Sequence, residues 1–543
     1  FETALQHNPN DHEVLTNLGL LLRMKGDMRG ALDCYRKAID AKPDFHPALG
    51  NLGATLDDMG KTDEALVCYR RALQIKPDFA EAHNNIGVVM KRKGKFAEAK
   101  ACYEKALECN PNYAEACSNL GAILRGWGKF DDMLPLYRKA VECKPSAVDL
   151  HSNLLFTLNC IPDTIPEDVA AEHRTWASAH GSPKSAQTAH ANDPDPERRL
   201  RIGYISPDIR DHSVAFFLEP ILAAHKADNV ELIAYAEVKD PDTVTKRLKQ
   251  YFSLWRNTVG MSDEALIKQI TEDRVDILVD LAGHTAHNRL RAMSFKPAPV
   301  QVTYLGYPNT TGMSAVDYRL TDALCDPAEH QNINVEELVR LPTGFLCYAP
   351  SVDAPEVGPL PAKTKGHFTF GSFNAAHKFN TRTIAIWADI LRALPTSKLL
   401  LKSATFSDET TREYYLTYFE QHKIERGRVQ VLAWEQSRGN HYGIYNEIDL
   451  ALDPFPYNGT TTTCEGMWMG VPTLTLTGNT HVSRVGTSLL HRVGLDELIA
   501  ASPQEYIAKA VALANNLDHL EKIRAGLRKR MDQSPLCDAE NFT

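Results

Sequence analysis

The stretch Ile448 to Leu476, IDLALDPFPYNGTTTTCEGMWMGVPTLTL, decides the fold of the C-terminal part of this chain. The apolar run Ile448 to Leu452 predicts a buried parallel strand. Asp453 to Gly459 breaks it with two prolines and a glycine, and Thr460 to Thr463 open a helix closed by Gly470 and Pro472. Thr473 to Leu476 then predicts a second strand. A strand, a polar turn and a threonine-headed helix place unpaired N–H groups and hydroxyls at the carboxyl end of a sheet, where phosphate binds. The plainer account is one threonine as N-cap and the others as solvated turn residues.

Working outward, residues 199–543 carry short β-rich runs alternating with helical stretches, the pattern of parallel sheets with crossover helices. Strands are expected at Leu200 to Ser206, Glu231 to Ala236, Val275 to Leu281 and Val300 to Tyr304, forming a first lobe over 199–350. Phe368 to Ser372, Lys398 to Lys402, Val429 to Leu432, Ile448 to Leu452 and Thr473 to Leu476 form a second over 367–543, with the proline-rich 351–366 as hinge. Neither lobe has G-x-G-x-x-G after its first strand or a P-loop, which removes dinucleotide oxidoreduction and P-loop hydrolysis from first consideration. Three polar clusters should face the cleft between the lobes: Asp208, Arg210, Asp211 and His212; Phe373 to Lys378; and the threonine helix with His441 and Glu465. A lysine, two histidines and a threonine-lined helix start suit a reaction whose leaving group is a diphosphate.

The N-terminal part has another logic. Prolines 9, 43, 77, 111 and 145 recur every 34 residues, in step with Gly19, Gly53, Gly87 and Gly121 and with Tyr35, Tyr69, Tyr103 and Tyr137. This is the tetratricopeptide period, an α superhelix over 1–160 whose groove holds a peptide or protein. Asn17, Asn51, Asn85 and Asn119 keep one register of it, either pinning a turn or pairing with a bound backbone. The first residues fall inside the second helix of a repeat, so further repeats upstream are expected. Residues 161–198 read as a helical transition ending in a polar linker, whose Asp193-Pro194-Asp195 is a solvated acidic pair rather than a metal motif.

With 43% hydrophobic and 24% charged residues in 543, the chain has ample cores, and a net charge of -9 offers no basic field for nucleic acid or anionic membrane. No apolar run reaches the roughly 18 residues of a membrane span. Eleven cysteines, without a C-x-x-C pair, fit buried thiols in a reducing compartment.

The motifs Lys296-Pro297-Ala298-Pro299-Val300-Gln301, Leu305 to Gly312 (LGYPNTTG), the Phe373 to Lys378 loop and Gly459 to Glu465 (GTTTTCE), behind a tetratricopeptide array, resemble the protein O-linked N-acetylglucosamine transferase family. The stretches GHTA, GYPNTTG, VEELVRLP and GTTTTCE are most similar to its plant SPINDLY branch. The resemblance implies two Rossmann-like lobes of GT-B type, with inverting, metal-independent sugar transfer from a nucleotide donor to Ser or Thr of proteins and no cofactor. It implies that Lys378 stabilises the departing diphosphate and that Thr461 and Thr462 hold its oxygens. His441 lies against base or ribose, and His212 is the catalytic candidate near the acceptor hydroxyl. Asn374, Gly459, Thr460, Glu465, Pro308 and Thr310 complete the expected donor site. Glu465, Thr460 and Ala375 depart from the animal members, which leaves UDP-GlcNAc and GDP-fucose both open as donor. A catalytically silent repeat scaffold is the third reading. The resemblance further implies a cytoplasmic protein, nuclear as well if eukaryotic, with homo-oligomerisation open. Family members continue beyond Thr543 into a last helix.

Overall fold

The computed structural model describes residues 1–181, 189–195, 197–226, 229–433 and 438–543. Of the expected linker, residues 182–188 and 196 lie outside the described residues. The chain divides into two compact units, residues 1–125 with 131–144, and residues 126–130 with 145–543.

The first unit is an array of paired antiparallel helices, His12–Met24 with Met28–Ala41, His46–Asp58 with Thr62–Ile75, and Ala80–Arg92 with Phe96–Cys109. Gly26, Gly60 and Gly94, a second glycine column with the same spacing of 34, form the turns with φ of 85°, 78° and 74°, a backbone region that favours glycine. The other glycine column answers to packing: a Cβ on Gly53 would lie 2.6 Å from Tyr69 Cε1, and on Gly87 2.5 Å from Tyr103 Cε1. The tyrosines are buried at that close approach, so both columns record one helix-to-helix contact repeated along the array.

In the second unit the first sheet holds β1 (Leu200–Ser206), β2 (Val230–Ala236), β3 (Leu254–Asn257), β4 (Ile277–Asp280), β5 (Val300–Thr303), β6 (Tyr318–Thr321) and β7 (Glu337–Arg340), in the order β3-β2-β1-β4-β5-β6-β7. The second holds β8 (Thr369–Ser372), β9 (Lys398–Lys402), β10 (Val429–Leu432), β11 (Leu450–Leu452), β12 (Thr473–Leu476) and β13 (Ile499–Ala500), in the order β10-β9-β8-β11-β12-β13. Every pairing is parallel, so both are Rossmann-like sheets. β3, β6, β7 and β13 are additions to the expected strands. The strand order reverses between β1 and β4 in one sheet and between β8 and β11 in the other. Open α/β sheets bind ligand in the crevice outside their carboxyl ends at such points.

The C-terminal turn Ala539–Phe542 packs on helix Ser213–Ala224 of the first lobe, and Tyr348 N–H donates to Leu536 O at 2.8 Å. Both lobes are thereby tied by the end of the chain.

Candidate active site

The loops at the two switch points carry the expected residues. After β1, Asp208 is buried, and His212 caps helix Ser213–Ala224 by accepting Val214 N–H at Nδ1 (3.4 Å). Asp208 Oδ2 stands 3.6 Å from the same nitrogen. Burial lowers the His212 pKa against the opposing pull of Asp208. A neutral ring that accepts at Nδ1 carries its proton on Nε2, so His212 is set up as a donor.

After β8, Phe373 packs against Tyr445 with ring centroids 4.6 Å apart, and Asn374 Oδ1 accepts from Thr462 Oγ1 at 2.9 Å. Lys378 Nζ donates to Asn458 O at 2.8 Å and lies 4.3 Å from the centroid of the Tyr457 ring. Burial pushes its pKa down to about 8, with Asp453 opposing. After β11, Asp453 is buried, accepts Gly459 N–H at 2.6 Å and Thr475 Oγ1–H at 2.7 Å, and its pKa is raised by burial. That carboxylate fixes the turn into helix Thr461–Trp468. Thr460 sits at the N-cap without a side-chain cap bond, and the first amide to reach back is Cys464 N–H to Thr460 O, so the amides of Thr461 to Thr463 lie ahead of the intrahelical ladder. A Cβ on Gly459 would meet Thr463 Oγ1 at 2.6 Å and Thr462 Oγ1 at 2.7 Å; only glycine lets the turn approach the helix this closely.

His441, 4% exposed, bridges Lys402 and Glu465: its Nδ1 lies 2.7 Å from Lys402 Nζ and its Nε2 3.1 Å from Glu465 Oε2. Tyr445 and Tyr442 hydroxyls donate to the same carboxylate at 3.2 and 3.5 Å.

His212, Asn374, Thr461, Thr462, His441 and Glu465 line one cavity of about 420 Å³, within the range of small-ligand sites. Gly459 and Thr460, in the turn after β11, and Lys378, which reaches that turn at Asn458 O, do not line it. Pro308 and Thr310 are elsewhere. Thr310 is fully buried, donating its hydroxyl to Glu336 Oε2, and Thr311 N–H donates to the other oxygen of that carboxylate. The buried Glu336 draws the threonines of the LGYPNTTG loop inward, and Pro308 lines a separate, larger cavity of about 660 Å³. Asp276 is structural, paired through both oxygens with Arg198 at the opposite end of its strand. Asp193 and Asp195 each accept a backbone N–H two residues on, in an exposed turn.

In the repeat unit Asn17 is exposed and Asn51, Asn85 and Asn119 half-buried; Asn119 Nδ2 donates to Asn84 Oδ1 at 2.9 Å. The column thus interlocks with a neighbouring repeat there while remaining accessible. Lys402, Asp453 and Glu336 escaped the sequence reading. Only Asp453, an acid between a strand and a glycine turn, had a local signal.

With this geometry in place, comparison with known proteins is decisive. The description "Glycosyl transferase family 41" fits residues 147–349 and 360–543. The chain belongs to that family. Tetratricopeptide descriptions fit 1–44, 56–94, 80–113 and 102–134. A solved Thermobaculum terrenum O-GlcNAc transferase mutant superimposes with a TM-score of 0.86 at 33% identity, covering 92% of this chain and 95% of that one. The Solanum lycopersicum protein named probable UDP-N-acetylglucosamine--peptide N-acetylglucosaminyltransferase SPINDLY is 42% identical over 395 residues, 72% of this chain and 42% of its own length. The Arabidopsis thaliana protein named probable UDP-N-acetylglucosamine--peptide N-acetylglucosaminyltransferase SEC is 30% identical over 351 residues. The chain therefore spans less than half the length of the curated relatives it matches. Among the described residues no helix is long and apolar enough to cross a membrane.

Proposed function

We propose that the chain is an inverting protein O-glycosyltransferase that moves N-acetylglucosamine from UDP-GlcNAc to Ser or Thr hydroxyls. In this reading residues 1–160 hold the polypeptide, with Asn17, Asn51, Asn85 and Asn119 facing it, and 161–198 lead into lobes 199–350 and 367–543 joined by 351–366. The observation that carries it is the threonine-headed helix Thr461–Trp468 beside Lys378, facing His212 across the 420 Å³ cavity. The names of the relatives support the donor, and the reading places the protein inside the cell.

The amides and hydroxyls of Thr461 and Thr462 take the diphosphate oxygens at the positive end of the helix. Lys378, hydrogen-bonded to the turn before that helix at Asn458 O, adds positive charge as the sugar–phosphate bond breaks. Positive charge from the helix start and the ammonium serves this step without a metal ion. The acceptor oxygen forms its new bond to the anomeric carbon on the face opposite the diphosphate as the sugar–phosphate bond breaks, and its proton passes to solvent. His212 Nε2–H orients that hydroxyl by donating to its oxygen.

A second reading, GDP-fucose as donor, is favoured by Glu465 and Ala375. Guanine offers two adjacent N–H donors to a carboxylate in the cavity, whereas uracil offers one. Thermal unfolding with UDP or GDP tests the choice, since a ligand at 100 times its Kd stabilises the native state by about 2.7 kcal/mol. UDP-selective stabilisation supports the first reading and GDP-selective stabilisation the second; no shift with either removes both. Lys378→Ala should keep the nucleotide shift and lose turnover by at least about 100-fold.

A further inference from the structure

Lys402 ends β9 with its side chain wholly buried, an expensive place for an ammonium unless it does something there. Its Nζ is 2.7 Å from His441 Nδ1, and Lys402 is absent from the lining of the 420 Å³ cavity, whereas His441 and Glu465 line it. An ammonium can only donate, so Nδ1 must accept. The single proton of the neutral imidazole then sits on Nε2, the nitrogen 3.1 Å from Glu465 Oε2, where a hydrogen is required between the two atoms. The opposite tautomer would face a lone pair with a carboxylate. The three residues form a directed chain from Lys402 through His441 to Glu465.

Glu465 has about four acceptor positions. Tyr445 and His441 occupy Oε2, while the partner of Oε1, Tyr442, is as far as 3.5 Å. Oε1 retains room for a ligand hydrogen.

We propose that Lys402 is a positioning residue: it sets the His441 tautomer, and through it aims the Glu465 carboxylate at the hydroxyl or N–H donors of the nucleoside half of the ligand. This rests on the reading of the cavity as a nucleoside diphosphate site. The helix start that takes the diphosphate is a separate set of groups, so the two halves of the ligand report on separate parts of the site.

The test compares the better of UDP and GDP with inorganic pyrophosphate, by calorimetry on the intact chain. Lys402→Met should weaken nucleoside diphosphate binding roughly 10- to 100-fold, the loss of a charge-assisted contact, and leave pyrophosphate within about twofold. Glu465→Gln should do the same, and the double variant should be no weaker than the weaker single one. Equal losses for both ligands would make Lys402 a merely structural residue, and unchanged nucleoside diphosphate binding would overturn the proposal. Failure of the wild type to bind either ligand would instead sink the nucleotide-site reading. The wild-type ring nitrogens of His441, read by ¹⁵N chemical shift, should show protonated Nε2 and bare Nδ1. The reverse tautomer overturns the proposal even if Lys402→Met does not fold.

Discussion

Acid should loosen the helix that braces the first lobe, and His173 lets the size of the effect be worked out. Helix Pro166–His180 buries His173 completely against the LGYPNTTG loop: Nδ1–H donates to Val169 O and Nε2 accepts from Tyr307 Oη–H, both at 2.7 Å. Each nitrogen is satisfied in the neutral ring, and burial pushes the pKa down to about 4 from an unfolded value of 6.5. His284 stands 5.2 Å from this ring, and Glu172, His151 and Arg319 are the other charged or titratable groups acting on it. A lowered histidine pKa means that the unfolded state binds the proton first, so stability is full above about pH 6.5 and falls as pH drops toward 4. Between pH 7 and pH 5 the loss from His173 alone is about 2 kcal/mol, or about 30-fold in the opening equilibrium. His180 and His284 are shifted down by burial as well and act in the same direction. The assay is hydrogen exchange across the helix, read by mass spectrometry and corrected for the intrinsic pH dependence of exchange. The wild type should lose at least that 30-fold protection, and His173→Gln should lose about 30-fold less. An identical pH slope in the two proteins would refute the assignment of the buried neutral ring.

Two further substitutions separate the units. Gly87→Ala puts a Cβ 2.5 Å from the buried Tyr103 ring and should destabilise the repeat array by about 1–3 kcal/mol while leaving nucleotide affinity unchanged, read by thermal unfolding beside a nucleotide titration. Gly459→Ala forces Thr462 and Thr463 from their places, both within 2.7 Å of the new carbon, and should weaken nucleotide binding about tenfold or more with the array unaffected; wild-type affinity would contradict the close turn.

What could be read from the sequence, and what could not, follows from the range of the interactions. The repeat was legible because each glycine and tyrosine reports the same contact at a fixed spacing. The threonine turn was legible because a strand, a breaker and a helix start are neighbours in sequence, and β1, β9, β10 and β12 have the expected ends. β6, YRLT, is not among the expected strands: it is only four residues long and its Arg319 is buried beside Asp326, both held from the other lobe through His481 Nδ1, 2.6 Å from Asp326 Oδ2 and 155 residues away. A charge with a distant partner looks like surface until the partner is seen. The burial of Thr310 was hidden for the same reason, its partner Glu336 lying 26 residues on, and that of Lys402 likewise, its partner His441 lying 39 residues on. Buried ion and hydrogen-bond partners are thus where spacing carries least information, and they are also where this family fold holds its cleft residues in register. The LGYPNTTG loop touches His173 on one side and Glu336 on the other, so its motif reflects a loop clamped by both.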